Sequence, residues 1–318
     1  MPPGRLEPHP ALLVTPTFDD TAVRRAAARG ELVRVVAGRY VRREHWGAFD
    51  ARERHAMLCL AAISRLSAPV VLSHASAAAL WGLPRLGPWP ARAHVTDPAL
   101  SHATTTRYAS WHVGALPPGD VTTSHGVRVT TPERTALDLA STTTFRQAVV
   151  SLDHCLRTSL VTNDELLLRL ASKGTIHGRA KALRAIEFAN AKANRPGESL
   201  SRVVIHESGL VVPDLQHPFT GLFGQSADVD FFWEREGIVG EFDGETKYRD
   251  SGRWSGLPPE EVVIREKDRE NWIRAQPEVR GFIRWTWRDA FARGRLARLL
   301  LDRGVPLESG RFRSKRSV

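Results

Sequence analysis

The 318-residue sequence is poor in cysteine and lacks a long apolar segment. Its two cysteines, Cys59 and Cys155, are far apart and do not have the spacing of metal ligands, so a disulfide framework is excluded and a reducing compartment is expected. No run approaches the roughly 20 apolar residues that cross a bilayer, and residues 1–10 contain no apolar core of a secretory signal. We therefore expect a cytoplasmic protein without a membrane-spanning segment.

Acidic residues are also in deficit. There are 45 Lys and Arg against 35 Asp and Glu, which leaves a formal charge of +10, and arginine supplies nearly all of the excess. Because guanidinium groups match phosphate geometry, nucleic acid is the first partner to consider. An Arg-rich composition that only reflects a GC-rich genome is an equally good explanation. The length predicts two or three domains, and the 42% hydrophobic content suffices for real cores.

The first 50 residues predict a small helix followed by a hairpin. Residues 19–21 are candidate caps for a helix over 22–29 that Gly30 ends, and two short β-type runs within 32–41 flank Ala37 and Gly38. This is the layout of a winged helix. Seven arginines against three acidic residues between Phe18 and Arg43 leave a local charge of +4, which could follow a phosphate backbone or form a solvated face.

Residues 51–195 predict a mainly helical α+β middle domain. One strand is expected at 127–129, and the segment 190–197, with its Pro and Gly, is expected to be a linker. His74 and His154 are expected to be core or capping residues. The helices are expected at 52–66, 73–81, from Pro132 onward, 145–156, 163–170 and 180–189.

Residues 196–318 predict an α/β domain in the order α-β-β-β-α-β-α, a mixed sheet flanked by helices. Within it, a strand over 224–233 and a strand over 238–243 are joined by a polar turn. If Trp233 pairs with Ile238, then Asp230 lies opposite Glu241. The same register places Asp228 opposite Asp243, so four carboxylates would share one face.

Such a cluster is destabilising unless something neutralises it. Oxygen ligands favour Mg²⁺ or Mn²⁺, and the candidate metal ligands are Asp228, Asp230 and Glu241. The alternative is an acidic, solvent-facing surface on an edge hairpin.

The motifs Val-Asp-Phe around Asp230 and Glu-Phe-Asp-Gly from Glu241, followed by a charged helix and the strand 282–287, resemble the PD-(D/E)XK nuclease superfamily, in particular its branch similar to very-short-patch repair endonucleases. The resemblance covers about residues 198–301. It implies a restriction-endonuclease-like fold, metal binding by Asp230 and Glu241, and a Glu198 that reaches the site or its waters.

The superfamily's lysine, two residues after the strand acid, is replaced by Asp243. Lys247 is a candidate substitute that would orient the attacking water or stabilise developing charge. If no base serves, the domain is a non-cleaving relative. The catalytic candidates are therefore Glu198, Asp230, Glu241, Asp243 and Lys247. On the charged helix, Arg269 could contact a phosphate or belong to a salt-bridged face with Glu266.

The front half resembles AbiEi-type antitoxins of type IV toxin–antitoxin systems over about residues 15–140, on three segments. These are the winged segment 22–43, SHASAAALWGLP at 73–84 and GVRVTTPERTA at 126–136. The resemblance implies DNA binding and a toxin protein as partner. The candidate DNA contacts, for phosphates more than bases, are Arg24, Arg25, Arg29, Arg34 and Arg39.

Together these patterns predict domains 1–50, 51–195 and 196–318 and leave the oligomeric state open. The function that they predict first is a metal-dependent DNA endonuclease that hydrolyses phosphodiester bonds and is targeted by its front domain. They are also compatible with a non-catalytic DNA-binding regulator or antitoxin with a degenerate nuclease fold, or with a plain interaction protein.

Overall fold

The computed structural model describes residues 7–15, 21–66, 70–173, 177–221, 224–244 and 259–308. The chain divides into two compact units, unit 1 at 1–189 and unit 2 at 190–318. None of the helices within the described ranges has the length and apolarity to cross a membrane. The predicted division into three domains stays a prediction.

Unit 1 combines eight described helices with a hairpin and a larger sheet. The helices are α1 (Thr21–Ala28), α2 (Arg43–Ala48), α3 (Ala51–Ile63), α4 (His74–Leu80), α5 (Pro132–Thr142), α6 (Phe145–Arg157), α7 (Asn163–Ser172) and α8 (Arg179–Phe188). The strands are β1 (Leu32–Val36), β2 (Arg39–Arg42), β3 (Val71–Leu72), β4 (Ala93–Asp97), β5 (Thr104–Thr105), β6 (Ala109–Val113), β7 (Val121–Ser124) and β8 (Val127–Thr130).

The predicted helix and hairpin near the start of the chain are confirmed. Gly30, with φ +77°, follows α1, and β1 and β2 pair antiparallel around Gly38, whose φ is +69°. Both angles lie in the region that favours glycine. The candidate caps Asp19 and Asp20 lie outside the described residues. Val41 and Phe49 pack in one cluster with residues of α3, so the front segment shares a core with the region that follows it.

The middle of unit 1 contains more strand than the sequence predicts. A six-stranded mixed sheet has the order β5-β6-β4-β3-β8-β7, whereas only β8 was expected. The other strands have only two to five residues. β6 and most of β4 alternate apolar and polar residues, a strand signal that the prediction did not use. Alanines of α4 pack with Leu72, Val95 and Val129, because their small side chains let the helix lie close to the sheet.

The helices after β8 follow the predicted positions, and side-chain caps define their starts. The Oγ1 atoms of Thr131 and Thr144 accept hydrogen bonds from the backbone N–H of Arg134 and Gln147, respectively. Thr162 begins α7 with a reciprocal capping box. Each cap satisfies a backbone donor that the first helical turn leaves unpaired.

Unit 2 is a mixed α/β unit, as predicted; its finer assignment as restriction-endonuclease-like stays a prediction. The sheet order is β12-β11-β10-β9, and β12 is parallel to β11 while the other pairs are antiparallel. Its elements are α9 (Pro196–Glu207), β9 (Asp214–Thr220), β10 (Ser226–Trp233), β11 (Ile238–Phe242), α10 (Pro259–Arg274), β12 (Gly281–Trp285), α11 (Trp287–Phe291) and α12 (Arg295–Leu301). The single last helix that we predicted is two helices, because Gly294 adopts φ +69° between them.

Helix α9 lies directly against β11. A Cβ on Gly197 would be 2.1 Å from Cε1 of Phe242, closer than any side chain tolerates, and the Trp285 indole N–H donates to Ser201 Oγ at 2.7 Å. The end of the predicted linker is therefore the first turn of a helix. Phe242 faces α9, whereas Val239 packs in a cluster with Ile273 of α10. Successive side chains of a strand alternate between faces, so α9 and α10 cover opposite faces of the sheet.

Candidate functional site

The predicted register of the acidic hairpin is confirmed. Trp233 pairs with Ile238, and the next two pairs toward the acidic residues follow the same register, ending at Phe231 and Gly240. The expected pairs of Asp230 with Glu241 and of Asp228 with Asp243 are not part of this ladder, and the Asp230 and Glu241 side chains contact groups on opposite faces of the sheet. The register alone does not bring their carboxylates into one site, because each has its own set of partners.

Asp230 belongs to a polar group on the α9 side. Its Oδ2 accepts the backbone N–H of Phe242 at 2.8 Å, and its Oδ1 is 3.3 Å from the amide Nε2 of Gln216. The same amide nitrogen is 3.0 Å from Oε2 of Glu198. One amide group therefore bridges two carboxylates.

Glu198 is only 3% exposed, and its Oε2 also accepts the backbone N–H of Asn194 at 2.8 Å. Burial and, secondly, the nearby charge of Asp230 raise the pKa of Glu198 to about 7. A carboxyl with a pKa of about 7 is protonated in about half of the molecules at neutral pH. Glu198 is thus connected to Asp230 through the Gln216 amide, and its role in a nuclease site stays a prediction.

Gln216 is a residue that the sequence analysis missed. It lies between the ladder pairs Val229–His217 and Phe231–Leu215, hence opposite Asp230, and its φ is +50°. A non-glycine residue in this conformation is uncommon and strained. A single glutamine in a strand of mixed composition gives no sequence signal, so only the fold reveals it.

Glu241 is held on the other side by two arginines. Its Oε1 is 2.8 Å from Nη1 of Arg269, its Oε2 is 3.1 Å from Nη2 of Arg284, and the residue is 4% exposed. Arg269 also donates to the backbone oxygen of Asp228 at 2.6 Å. Of the two predictions for Arg269, the geometry therefore fits the salt-bridged face, and phosphate contact is left as a proposal.

Arg284 continues this charged group toward α10. Its Nη2 is 3.0 Å from Glu266 Oε1 and 3.1 Å from Glu270 Oε2. Burial would lower the pKa of Arg284, but the neighbouring carboxylates, Glu241 foremost, outweigh it and raise the pKa. Arg284 was also missed, because a lone arginine in an apolar strand has no distinctive pattern.

The remaining predicted site residues do not join Asp230 and Glu241. Asp228 is exposed. Asp243 has one buried oxygen, Oδ1, without a hydrogen-bond partner, and its backbone N–H donates to Trp285 O at 2.8 Å. Lys247 lies outside the described residues.

The nuclease resemblance implied a site for a divalent cation, but the described residues do not fit one. Nowhere in the ranges given above do three or more His, Cys, Asp or Glu side chains form a group that could hold a metal ion. Both oxygens of Glu241 are already occupied by guanidinium groups, and Asp230 is held by an amide and a backbone N–H. No chemical step through a metal follows from this geometry.

The arginines in the basic front of unit 1 differ in whether another residue of the protein already binds their guanidinium groups. Arg24, Arg25 and Arg34 are exposed. Arg29, in contrast, forms an ion pair with Glu31 at 2.6 Å. Arg39 bonds to the side chain and backbone oxygen of Ser64, and both contacts fasten the hairpin to the end of α3. These three exposed arginines are the stronger candidates for phosphate contacts.

Unit 1 also contains a histidine cluster, formed by the buried His74 and the partly buried His94 and His112. The rings of His74 and His112 stack with centroids 3.7 Å apart, and His94 Nδ1 is 2.9 Å from His112 Nε2. Such a nitrogen pair forms a hydrogen bond only when one nitrogen carries a proton and the other a lone pair. His74 is buried, as expected, and has φ +50°.

The histidines of this cluster are held neutral. Burial lowers the pKa of His94 to about 3, and burial followed by the charge of His112 lowers that of His74 well below its ordinary value. Next to them, Oδ2 of Asp138 is 3.9 Å from Nδ1 of His74. Arg134 Nε is 2.9 Å from the other oxygen of Asp138, and its Nη1 is 2.7 Å from Asp120 Oδ2.

The histidine cluster and the ion pairs of Arg134 lie in a region that matches a known protein family. Residues 68–188 match the family model of the AbiEi antitoxin C-terminal domain. The matched region includes the six-stranded sheet and α4 to α8, and it agrees with the antitoxin-like part of the sequence prediction.

Two uncharacterised proteins of Mycobacterium tuberculosis, MT2308 of strain CDC 1551 and Rv2248 of strain H37Rv, are each 29% identical over 151 residues, 48% of this chain and 52% of theirs. The chain thus spans about half the length of these relatives. Among solved structures, the RV2827C protein from the same species aligns with 16% identity and a TM-score of 0.33, over 64% of this chain and 76% of its own.

Proposed function

We propose that this protein is a DNA-binding regulator of the antitoxin type, with a winged-helix-like front and a unit 2 that does not cleave DNA. The observation that carries the proposal is the match of residues 68–188 to the AbiEi antitoxin C-terminal domain. A toxin protein as partner is part of the same proposal.

The electrostatics of the front segment support DNA as the ligand. Arg24 and Arg25 extend from α1 and Arg34 from β1, all exposed. In the hairpin, Leu32 pairs with Arg42 and Arg34 with Tyr40, so Arg34 and the exposed Arg42 share one face. Charges in this arrangement neutralise phosphates and release counterions, a mode of binding that does not depend on base sequence.

The DNA proposal predicts weaker and less salt-dependent binding by the triple variant R24A/R25A/R34A. Each lost phosphate contact should reduce the slope of log K against log salt concentration by about 0.9, so the variant's slope should fall by between two and three. Fluorescence anisotropy with a labelled duplex of about 20 base pairs, between 50 and 300 mM KCl, measures both effects.

A charge-matched control separates a local interface from the net charge of the protein. R235A/R293A/R303A removes three exposed arginines of unit 2 and should keep the wild-type slope. The paired change R29A/E31A leaves the net charge unaltered and should also bind normally. Equal losses in both triple variants would remove the front segment from the DNA interface.

A metal-dependent endonuclease is the second candidate, favoured by the approach of Glu198 to Asp230 through the Gln216 amide. The regulator proposal predicts that supercoiled plasmid stays intact with Mg²⁺ or Mn²⁺, although the protein retains DNA affinity. Nicking by the wild type that D230N abolishes would instead establish the nuclease. Nicking that persists unchanged in D230N would indicate a contaminating enzyme.

A further inference from the structure

We propose that the guanidinium groups of Arg269 and Arg284 take the place of a divalent cation at Glu241, so that unit 2 is complete without bound metal. This inference concerns unit 2 alone and does not depend on whether unit 1 binds DNA.

The first support is the occupancy of the Glu241 carboxylate. Each oxygen has its own cationic partner, Arg269 at 2.8 Å and Arg284 at 3.1 Å. Mg²⁺ needs oxygen ligands at roughly 2.0–2.1 Å in a nearly octahedral shell. A cation at either oxygen would have to displace a charge-assisted hydrogen bond, and the displaced arginine would lose its buried anchor.

The second support is the balance of charge. Arg269 and Arg284 contact three carboxylates, Glu241, Glu266 and Glu270. Glu270 is also paired with Arg274, and the charge of Asp243 acts on Arg284 as well. A divalent ion added beside two guanidinium groups would face their repulsion at short range. The raised pKa of Arg284 keeps that side chain charged throughout the accessible pH range.

The third support is that the Asp230 carboxylate lies apart from the Glu241 carboxylate. Asp230 accepts the backbone N–H of Phe242 and bonds to the Gln216 amide, while the neighbouring Glu241 side chain is directed to the α10 side. The carboxylates of Asp230 and Glu241, both candidate metal ligands, are thus each satisfied by protein groups. The buried Glu241 needs this compensation, because an unpaired buried charge is strongly destabilising.

The test measures cation binding by the full-length protein, without DNA in any arm. Thermal unfolding is followed with EDTA, with 10 mM Mg²⁺ and with 10 mM Mn²⁺, and Mn²⁺ binding is titrated separately by electron paramagnetic resonance. For the wild type we expect the same unfolding temperature in all three solutions, within about 1 °C, and no stoichiometric Mn²⁺.

The double variant R269Q/R284Q leaves Glu241 and Glu266 without their cations, whereas Glu270 keeps its ion pair with Arg274. The variant should gain Mn²⁺ binding and an unfolding temperature raised by about 4 °C, the shift that 10 mM cation gives at a Kd of about 1 mM. The matched control is R265Q/R295Q, which removes two more exposed ion pairs of unit 2, with Glu261 and Asp289, and should gain neither.

Stoichiometric Mn²⁺ binding by the wild type that E241Q abolishes would overturn the proposal. A folded R269Q/R284Q protein that binds no Mn²⁺ would also overturn it, since the arginines would not then be what replaces the cation. If the double variant fails to fold, the wild-type and E241Q titrations still decide the question.

Discussion

Replacing Arg134 by methionine is expected to lower the free energy of unfolding of unit 1 by about 3–5 kcal/mol. Arg134 is 6% exposed and bridges Asp120 and Asp138, and it also donates to the backbone oxygen of Ala115 at 2.7 Å. Methionine retains much of the packing but leaves Asp138 without its cation. Urea unfolding monitored by circular dichroism measures the loss.

The matched control is R169M. Arg169 also contacts Asp120, but it is partly exposed, and Asp120 would keep both Arg134 and Lys173. We expect a loss below about 1 kcal/mol for this variant. Adding D138N to R134M should restore part of the stability, because the neutral amide does not need a cation. Equal losses for R134M and R169M would contradict the bridging role.

Acidification is expected to destabilise unit 1 below about pH 6.5. Burial lowers the pKa values of His55 to about 4 and of His94 to about 3, and lowers that of His74 as well. The unfolded chain therefore takes up protons at a pH where the folded chain does not, so stability is full above pH 6.5 and falls as the pH decreases toward those folded values. Between pH 7.5 and 5.5 the loss should be about 1 kcal/mol for each of His55 and His94, and His74 should act in the same direction.

Unit 2 should respond in the opposite direction. The folded pKa of Glu198, about 7, is above the unfolded value of 4.5, so its contribution to stability is fully present below pH 4.5 and is lost as the pH rises through 7. Hydrogen exchange at pH 7.5 and 5.5 can resolve the two units. H94Q should reduce the loss of stability of unit 1 on acidification, and E198Q should reduce the loss of stability of unit 2 as the pH rises. A pH-independent unit 1 would contradict the neutral histidine cluster.

Helices and the hairpin register could be predicted from the sequence because their signals are local. Thr162 and Glu165 form the capping box of α7, and Gly30 follows α1. The Trp233–Ile238 pair was assumed for a hairpin with a four-residue polar turn, and it is confirmed. In each case a few neighbouring residues determine the conformation.

The contacts of the candidate site could not be predicted, because they depend on long-range packing. The sequence placed Glu241 with Asp230, but did not reveal that Arg284, 43 positions later, lies beside Glu241 in the parallel pairing of β11 with β12. It also gave no sign that Gln216 bridges Glu198 and Asp230. The strands β3 to β7 were missed for a related reason: each has at most five residues, and the stability of such short strands comes largely from neighbouring strands and helices.

The close contact of Gly197 with Phe242 limits how unit 2 can change during evolution. Any side chain at position 197 would meet the Phe242 ring, push α9 away from the sheet and carry the adjacent Glu198 carboxyl out of reach of the Gln216 amide. A lineage could enlarge residue 197 only by shrinking residue 242. Residues 197 and 242 should therefore vary together among relatives. A Glu198 carboxyl that is protonated between α9 and the sheet should be kept only where this close contact is kept.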